Sequence, residues 1–335
     1  MHDVAWWILG AGLVLYVLTA GADFGGGLWH LVARGPRARD ERAAIEHAIA
    51  PIWEANHVWL IFMIVVLFTA YPRAFAAIAI ACHVPIALAL VGVVLRGSAF
   101  VFGSYGLGGA SERARYGRVF GTASALTPVA LGLVLAAIAS GSITVDASGS
   151  VVRVTSGFFA GWTSLFAIAT GLFTLSLFAL LASVYLTRDA PAAVAESFRA
   201  RALGAEIVAG ALAYVVYFAA ERDAPLLRAR LVEGGAFALV ELATAASAMA
   251  VMASLWARRF ELARALVILQ VALVVGGFGL AMRGDLLLGA LSTRASIGTV
   301  DTSRPILVAL ALGSVLLVPS LAYLYRLFKR APRRA

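Results

Sequence analysis

Nine long apolar runs dominate this chain, and they leave few ways to fold it. They cover residues 6–29, 51–70, 75–95, 119–139, 158–186, 203–220, 235–256, 262–282 and 305–328, with 203–220 among the shortest. A bilayer's hydrocarbon layer, ~30 Å thick, takes about 20 helical residues at ~1.5 Å each. Membrane strands would alternate apolar and polar residues, whereas these runs are continuous. Of all residues 62% are hydrophobic and 13% charged. A soluble domain sits nearer half and a quarter, and a globular core cannot bury so much apolar surface. The expected fold is all-α: one integral-membrane domain over 1–335 with about nine transmembrane helices and no soluble domain. A faint pseudo-repeat pairs 1–140 with 157–283 as two four-helix units, leaving 305–328 as an added ninth helix.

The net charge of +9 does not imply a nucleic-acid partner, because the basic residues lie in short loops, a pattern that suits topology control. With nine spans and a cytoplasmic C-terminus, 19 of the 27 Lys and Arg residues fall inside and 8 outside. That bias predicts N-out, C-in topology. The first run lacks a basic leader and a small-residue cleavage site, so it reads as a span. The outer loop 283–304, with Arg283, Asp285, Arg294, Asp301 and Arg304, reads as a solvated loop, with a cap over a partner or a site as the alternative.

Charged residues inside spans cost roughly 3 kcal/mol at the helix centre, so those retained are candidates for function. Asp23 sits in Gly21-Ala22-Asp23-Phe24-Gly25-Gly26-Gly27. Glycines weaken a helix by about 1 kcal/mol each relative to alanine and let another backbone approach closely. The segment reads either as a proton-relay acid or as a packing hinge with a capped carboxylate.

The second run opens with Pro51-Ile52-Trp53-Glu54-Ala55-Asn56-His57-Val58-Trp59-Leu60. Proline suits a first helical turn, and Glu54 and His57, at i and i+3, share a face. Asp23 ends one span and Glu54 begins the next, so the two acids are expected at similar depth on the cytoplasmic side. Two acids beside a histidine suit a proton entrance. The plainer alternative makes Trp53 and Trp59 belt residues and leaves Glu54 and His57 capping a helix end. Arg96 closes the third run, where it can snorkel or serve as counter-charge to Asp23 or Glu54.

His83, two residues before Pro85, either ligates a haem iron or bonds a carbonyl freed by the proline. His57 is the other conceivable axial ligand. Glu241 and Gln270 read as interhelical hydrogen-bonding residues. The sequence has no CxxCH, nucleotide loop or Cys/His cluster, and its single Cys82 cannot form an internal disulfide.

The glycine-rich segment, the Pro51–Leu60 motif and Leu95-Arg96-Gly97-Ser98-Ala99-Phe100, in that order, resemble the signature stretches of subunit II of cytochrome bd-type quinol oxidases. The match is specific over roughly the first hundred residues. It implies a complex that oxidises membrane quinol and reduces O₂ to water in the bacterial cytoplasmic (inner) membrane. In that family haems b and d-type belong to a partner, subunit I, and none is ligated by subunit II. Subunit II supports a cytoplasmic proton pathway and can hold a structural quinone; some members add a small accessory subunit. Asp23 and Glu54 match the pathway acids, with Arg96 and His57 beside them. Gly21, Gly25, Trp53, Asn56 and Trp59 match supporting motif positions. One departure is Val101-Phe102-Gly103, where many members carry an acid, an aromatic and a basic residue. The rival expectation, from another class, is a secondary transporter coupling substrate to protons through Asp23 and Glu54.

Overall fold

The computed structural model describes residues 2–49, 53–106, 109–147, 151–233, 235–298 and 300–328. The helices are α1 (His2–Val32), α2 (Ala38–Ile49), α3 (Trp53–Ala70), α4 (Pro72–Ala81), α5 (His83–Tyr105) and α6 (Ala110–Ala139). A two-stranded ribbon of β1 (Val145–Asp146) and β2 (Arg153–Val154) follows. Then come α7 (Leu165–Asp189), α8 (Ala192–Asp223), α9 (Pro225–Glu233), α10 (Gly235–Trp256) and α11 (Phe260–Ala281). A second ribbon, β3 (Asp285–Leu287) and β4 (Leu291–Ser292), leads through α12 (Thr293–Ser296) to α13 (Val300–Phe328).

Among the described residues, eight helices are long and apolar enough to cross a membrane: α1, α3, α5, α6, α7, α8, α10 and α11. The ninth expected run falls in α13, whose described apolar stretch, Val308–Leu324, is shorter. Many large apolar side chains point outward, among them Ile61, Leu90, Leu239 and Leu316. Lipid is the medium that makes such a surface stable.

The helix bounds depart from the apolar runs for local reasons. The third run is broken at Cys82, because Pro85 lacks an N–H and its ring crowds the carbonyl four residues back. In the fifth, the expected residues 158–164 stay outside the helix. Gly161 has a positive φ of 82°, and Ser164 caps α7 by accepting from the Ala167 N–H at 3.1 Å. The short sixth run is the core of a 32-residue helix, since nothing between Pro191 and Asp223 breaks it.

α1 runs between α3, α6 and α7. Its glycines set the spacing: a Cβ on Gly25 would lie 1.9 Å from the Phe178 carbonyl oxygen, and one on Gly27 would lie 2.1 Å from Ser124 Oγ. Close backbone approach is what small residues supply inside a bilayer, where lipid tails remove the hydrophobic drive between helices. At this contact Trp29 Nε1–H donates to the Ala179 carbonyl at 2.8 Å.

The two ends of the bundle differ. Where α1 finishes, Arg42 reaches back from α2 to the carbonyls of His30 (3.2 Å) and Ala33 (2.8 Å), satisfying the free carbonyls of a helix C-terminus. Ion pairs Arg188–Glu261 and Arg264–Asp189 tie α7 to α11 there, and Arg258–Glu196 ties α8 to the turn between α10 and α11. Exposed pairs of this kind contribute ~0–1 kcal/mol each. Arg201–Glu41 is different: both side chains are largely buried, and the guanidinium also lies 5.3 Å from the rings of Trp29 and Phe198.

The opposite end is closed by hydrocarbon. The loop expected to be solvated folds inward: Leu286, Leu287, Leu288 and Leu291 are each at most 4% exposed, and the Leu288 N–H donates to the Ile138 carbonyl at 2.9 Å. Its charges are used at the rim, where Arg230 pairs with Asp285 at 2.5 Å. The hydrophobic run Leu286-Leu287-Leu288 outweighs the charges flanking it, which explains why charge alone misjudged the loop.

Gly25→Ala is expected to push α1 from α7 and lower stability by about 1–3 kcal/mol, read as a fall in Tm of the detergent-solubilised protein. Gly10→Ala, where a Cβ would meet nothing within 4 Å, should leave Tm unchanged or slightly raised.

Candidate functional site

Helix α1 brings Tyr16, Asp23 and Phe24 to one region, α3 brings Trp53, Asn56 and His57, and α5 brings Arg96. Asn56 is 1% exposed and donates through Nδ2 to Asp23 Oδ2 at 2.6 Å. Asp23 is 5% exposed. A carboxylate this far from bulk water needs such donors, because an unsolvated charge is costly.

Arg96 is 1% exposed and among the largest fully buried side chains. Its guanidinium carbon sits 4.9 Å from the Phe24 ring and 5.4 Å from the Phe120 ring. Aromatic faces attract a desolvated cation. Nη1–H points at His57 Nε2 at 3.4 Å, so Nε2 is the accepting nitrogen and Nδ1 carries the ring hydrogen. The Asp23 and Tyr16 side chains are near enough to Arg96 for charge to act among the three. Four buried polar atoms here have no hydrogen-bond partner among the described residues: Tyr16 Oη, His57 Nδ1, Arg96 Nε and Arg96 Nη2.

Asp23 and Asn56 also line a groove of about 290 Å³ between α1, α2, α3, α7 and α11. Gly26 and Ile49 form part of its wall, and Asp189 and Arg264, joined at 3.6 Å, lie at the arginine-rich end. The acid is therefore buried yet borders a space that runs toward that end of the bundle.

Sequence reasoning had grouped Asp23, Glu54, His57 and Arg96. The structure brings Asp23, His57 and Arg96 into one neighbourhood and adds Asn56 as the contact between α1 and α3. Glu54 stands apart, exposed on the first turn of α3. Trp53 is half-buried, with its ring 6.4 Å from His57 and 6.0 Å from Phe100, and it packs over Gly97. Trp59 is half-buried against the main core cluster. Gly21 meets the Phe178 ring, so Gly21 and Gly25 both serve the α1–α7 contact. Pro51 lies outside the described residues. Tyr16, Phe24 and Phe120 were missed. Tyr16 lies seven residues before Asp23, two turns along one helix face, and that spacing was the available signal.

The two histidines are engaged differently. His57 Nε2 faces a guanidinium, where an iron would have to sit. His83 Nδ1–H donates to the Ile80 carbonyl at 2.8 Å, one residue before the Ala81 carbonyl that Pro85 leaves free. Among the described residues no group of three or more His, Cys, Asp or Glu side chains gathers as a metal site.

Fold and site together define a multi-pass α-helical membrane protein with a buried acid, amide, imidazole and guanidinium cluster on its first three spans. The family model for cytochrome bd terminal oxidase subunit II matches residues 1–328, and the chain belongs to that family. It is 32% identical over 103 residues to cytochrome bd ubiquinol oxidase subunit 2 of Bacillus subtilis (strain 168), a stretch covering 30% of each chain. It is 35% identical over 100 residues to cytochrome bd-I ubiquinol oxidase subunit 2 of Escherichia coli (strain K12), covering 30% of this chain and 26% of that one. The matched stretch thus spans less than a third of these curated relatives. The fold is similar along its whole length to a chain in the structure of bd oxidase from Geobacillus thermodenitrificans, with a TM-score of 0.81, 22% identity and 99% of both chains covered.

Asn56→Leu should strip a donor from the buried carboxylate and cost about 1–3 kcal/mol, measured by thermal unfolding. In a double-mutant cycle, Asp23→Asn combined with Asn56→Leu is expected to lose much less than the sum of the two single losses.

Proposed function

We propose that this chain is the non-haem subunit II of a quinol-oxidising, O₂-reducing complex, and that its buried cluster takes protons from the cytoplasm toward haems held by subunit I. Family membership supports the first part. The observation that carries the second is Asp23: a buried acid, hydrogen-bonded by Asn56, bordering a groove that leads to the arginine-rich end.

In this reading the arginine-rich end is cytoplasmic, with the N-terminus out and the C-terminus in. The groove admits water, Asn56 holds the Asp23 carboxyl toward it, and Asp23 exchanges its proton there. Arg96, seated on Phe24 and Phe120, supplies a fixed positive charge that limits the site to one net proton at a time. The unpartnered atoms of Tyr16, His57 and Arg96 mark seats for water, which needs two or more polar partners to stay in a buried site. His57 supplements the route where Val101, Phe102 and Gly103 replace the family's acid, aromatic and basic residues. Glu54, exposed on the first turn of α3, joins Asp23 as the second acid of the cytoplasmic entrance. Proton uptake from one side makes turnover electrogenic.

Subunit I supplies haems b and d-type, and lipid, a structural quinone and a small accessory subunit are further partners on this reading. Residues 1–140 and 157–283 act as two related four-helix halves, with 305–328 as the ninth helix at the edge, a role supported by α13 packing chiefly on α3. A transporter is disfavoured because the family model that matches residues 1–328 is that of an oxidase subunit.

Gentle purification of the tagged chain should bring down a larger haem-bearing partner with a red-absorbing chlorin band. In that complex Asp23→Asn and Glu54→Gln are each expected to slow oxidase turnover by roughly 10-fold or more, in the range of a lost proton-transfer group, with haem content unchanged. Full turnover in both variants would refute the proton route. A chain that purifies alone and colourless would refute the oxidase assignment.

A further inference from the structure

A second intramembrane acid lies outside this cluster, in the other half of the bundle. Glu206 is near the middle of α8 and Gln270 near the middle of α11, and each is 4% exposed. Gln270 Nε2–H donates to Glu206 Oε1 at 2.6 Å. The surroundings are alkyl: Ala202, Ala205 and Ala209 on α8, and Val267 and Val271 on α11, all buried in the same core cluster. Among the described residues Glu206 forms no ion pair, and the nearest basic residue of α11, Arg264, is engaged by Asp189 and by the Tyr185 ring.

Two atoms of the pair are left without a partner, Glu206 Oε2 and Gln270 Oε1. In an ionised pair both are pure acceptors, and a buried carboxylate would have neither a cation nor a second donor. Exchanging the amide's oxygen and nitrogen does not help, since one acceptor still faces another. A single hydrogen on Oε2 removes the conflict, because the amide oxygen can accept it. The acid and amide then close a ring of two hydrogen bonds, and no charge remains in the hydrocarbon core.

We propose that Glu206 is held as the neutral acid and that its proton closes this ring with Gln270, making the pair a proton-binding site separate from the Asp23 cluster. The site's ligand is the proton itself, and no part of the argument depends on the oxidase reading. The pair also pins α8, which packs chiefly on α7, to α11, which packs chiefly on α10.

The test is infrared spectroscopy of the purified full chain, with its partner where one co-purifies, comparing wild type with Glu206→Gln. The variant keeps the shape and replaces acid–amide by amide–amide. The expected difference is loss of one carboxylic C=O band, placed low by hydrogen bonding and slow to shift in heavy water. Loss of carboxylate stretching bands instead would overturn the proposal. Gln270→Leu gives a second reading should Glu206→Gln fail to accumulate. Removing the amide should move the acid band to higher frequency, and an acid band that does not move would overturn the ring.

Discussion

How closely α1 can approach α7 governs much of this bundle. Lipid does not squeeze helices together as water does, so contact must come from packing and polar bonds. Gly25 supplies the first by exposing its backbone to the carbonyl of Phe178. Trp29 supplies the second through the Ala179 carbonyl, and the Tyr185 hydroxyl adds a bond to the Leu18 carbonyl at 3.3 Å. With α1 fixed there, Phe24 stacks on Phe178 at 6.1 Å and turns toward α5. That ring becomes one of the two faces on which Arg96 rests. The geometry of the polar cluster thus follows from a contact in which no charged group takes part.

The same contact accounts for the composition of the glycine-rich segment. It is a packing surface and it also carries an acid, on different sides of one helix. Gly25 faces α7 while Asp23 reaches α3 through Asn56. About 3.6 residues per turn puts positions two apart on nearly opposite sides of the helix.

The membrane fold was legible in the sequence because hydrocarbon thickness imposes length and apolarity directly. Asp23 and Arg96 stood out for the same reason: charges in such runs are conspicuous. Partners were harder to read. Glu54 and His57 share a helical face by spacing, yet one is exposed and the other half-buried, because the neighbouring α1 and α5 cover only part of α3. Asn56 was legible as a motif residue, but not as the one holding Asp23, since a contact between helices has no fixed sequence spacing. Gln270 was legible as an interhelical bonding residue, whereas Glu206 passed unnoticed in a run that looked merely short. The ribbon loops failed for another reason: Leu286, Leu287 and Leu288 are too few to register as a span, but enough to bury.

Those leucines decide the shape of the interior. One end of the bundle is ringed by arginines and opens along a groove past Asp23, and the other is stoppered with alkyl side chains under the β3–β4 hairpin. Such an interior is a well and not a pipe. Among the described residues, the groove beside Asp23 reaches Asp189 and Arg264, while buried leucines fill the interior at the hairpin end. A fold built in this way is asymmetric end to end, indented and polar on one side and dry on the other.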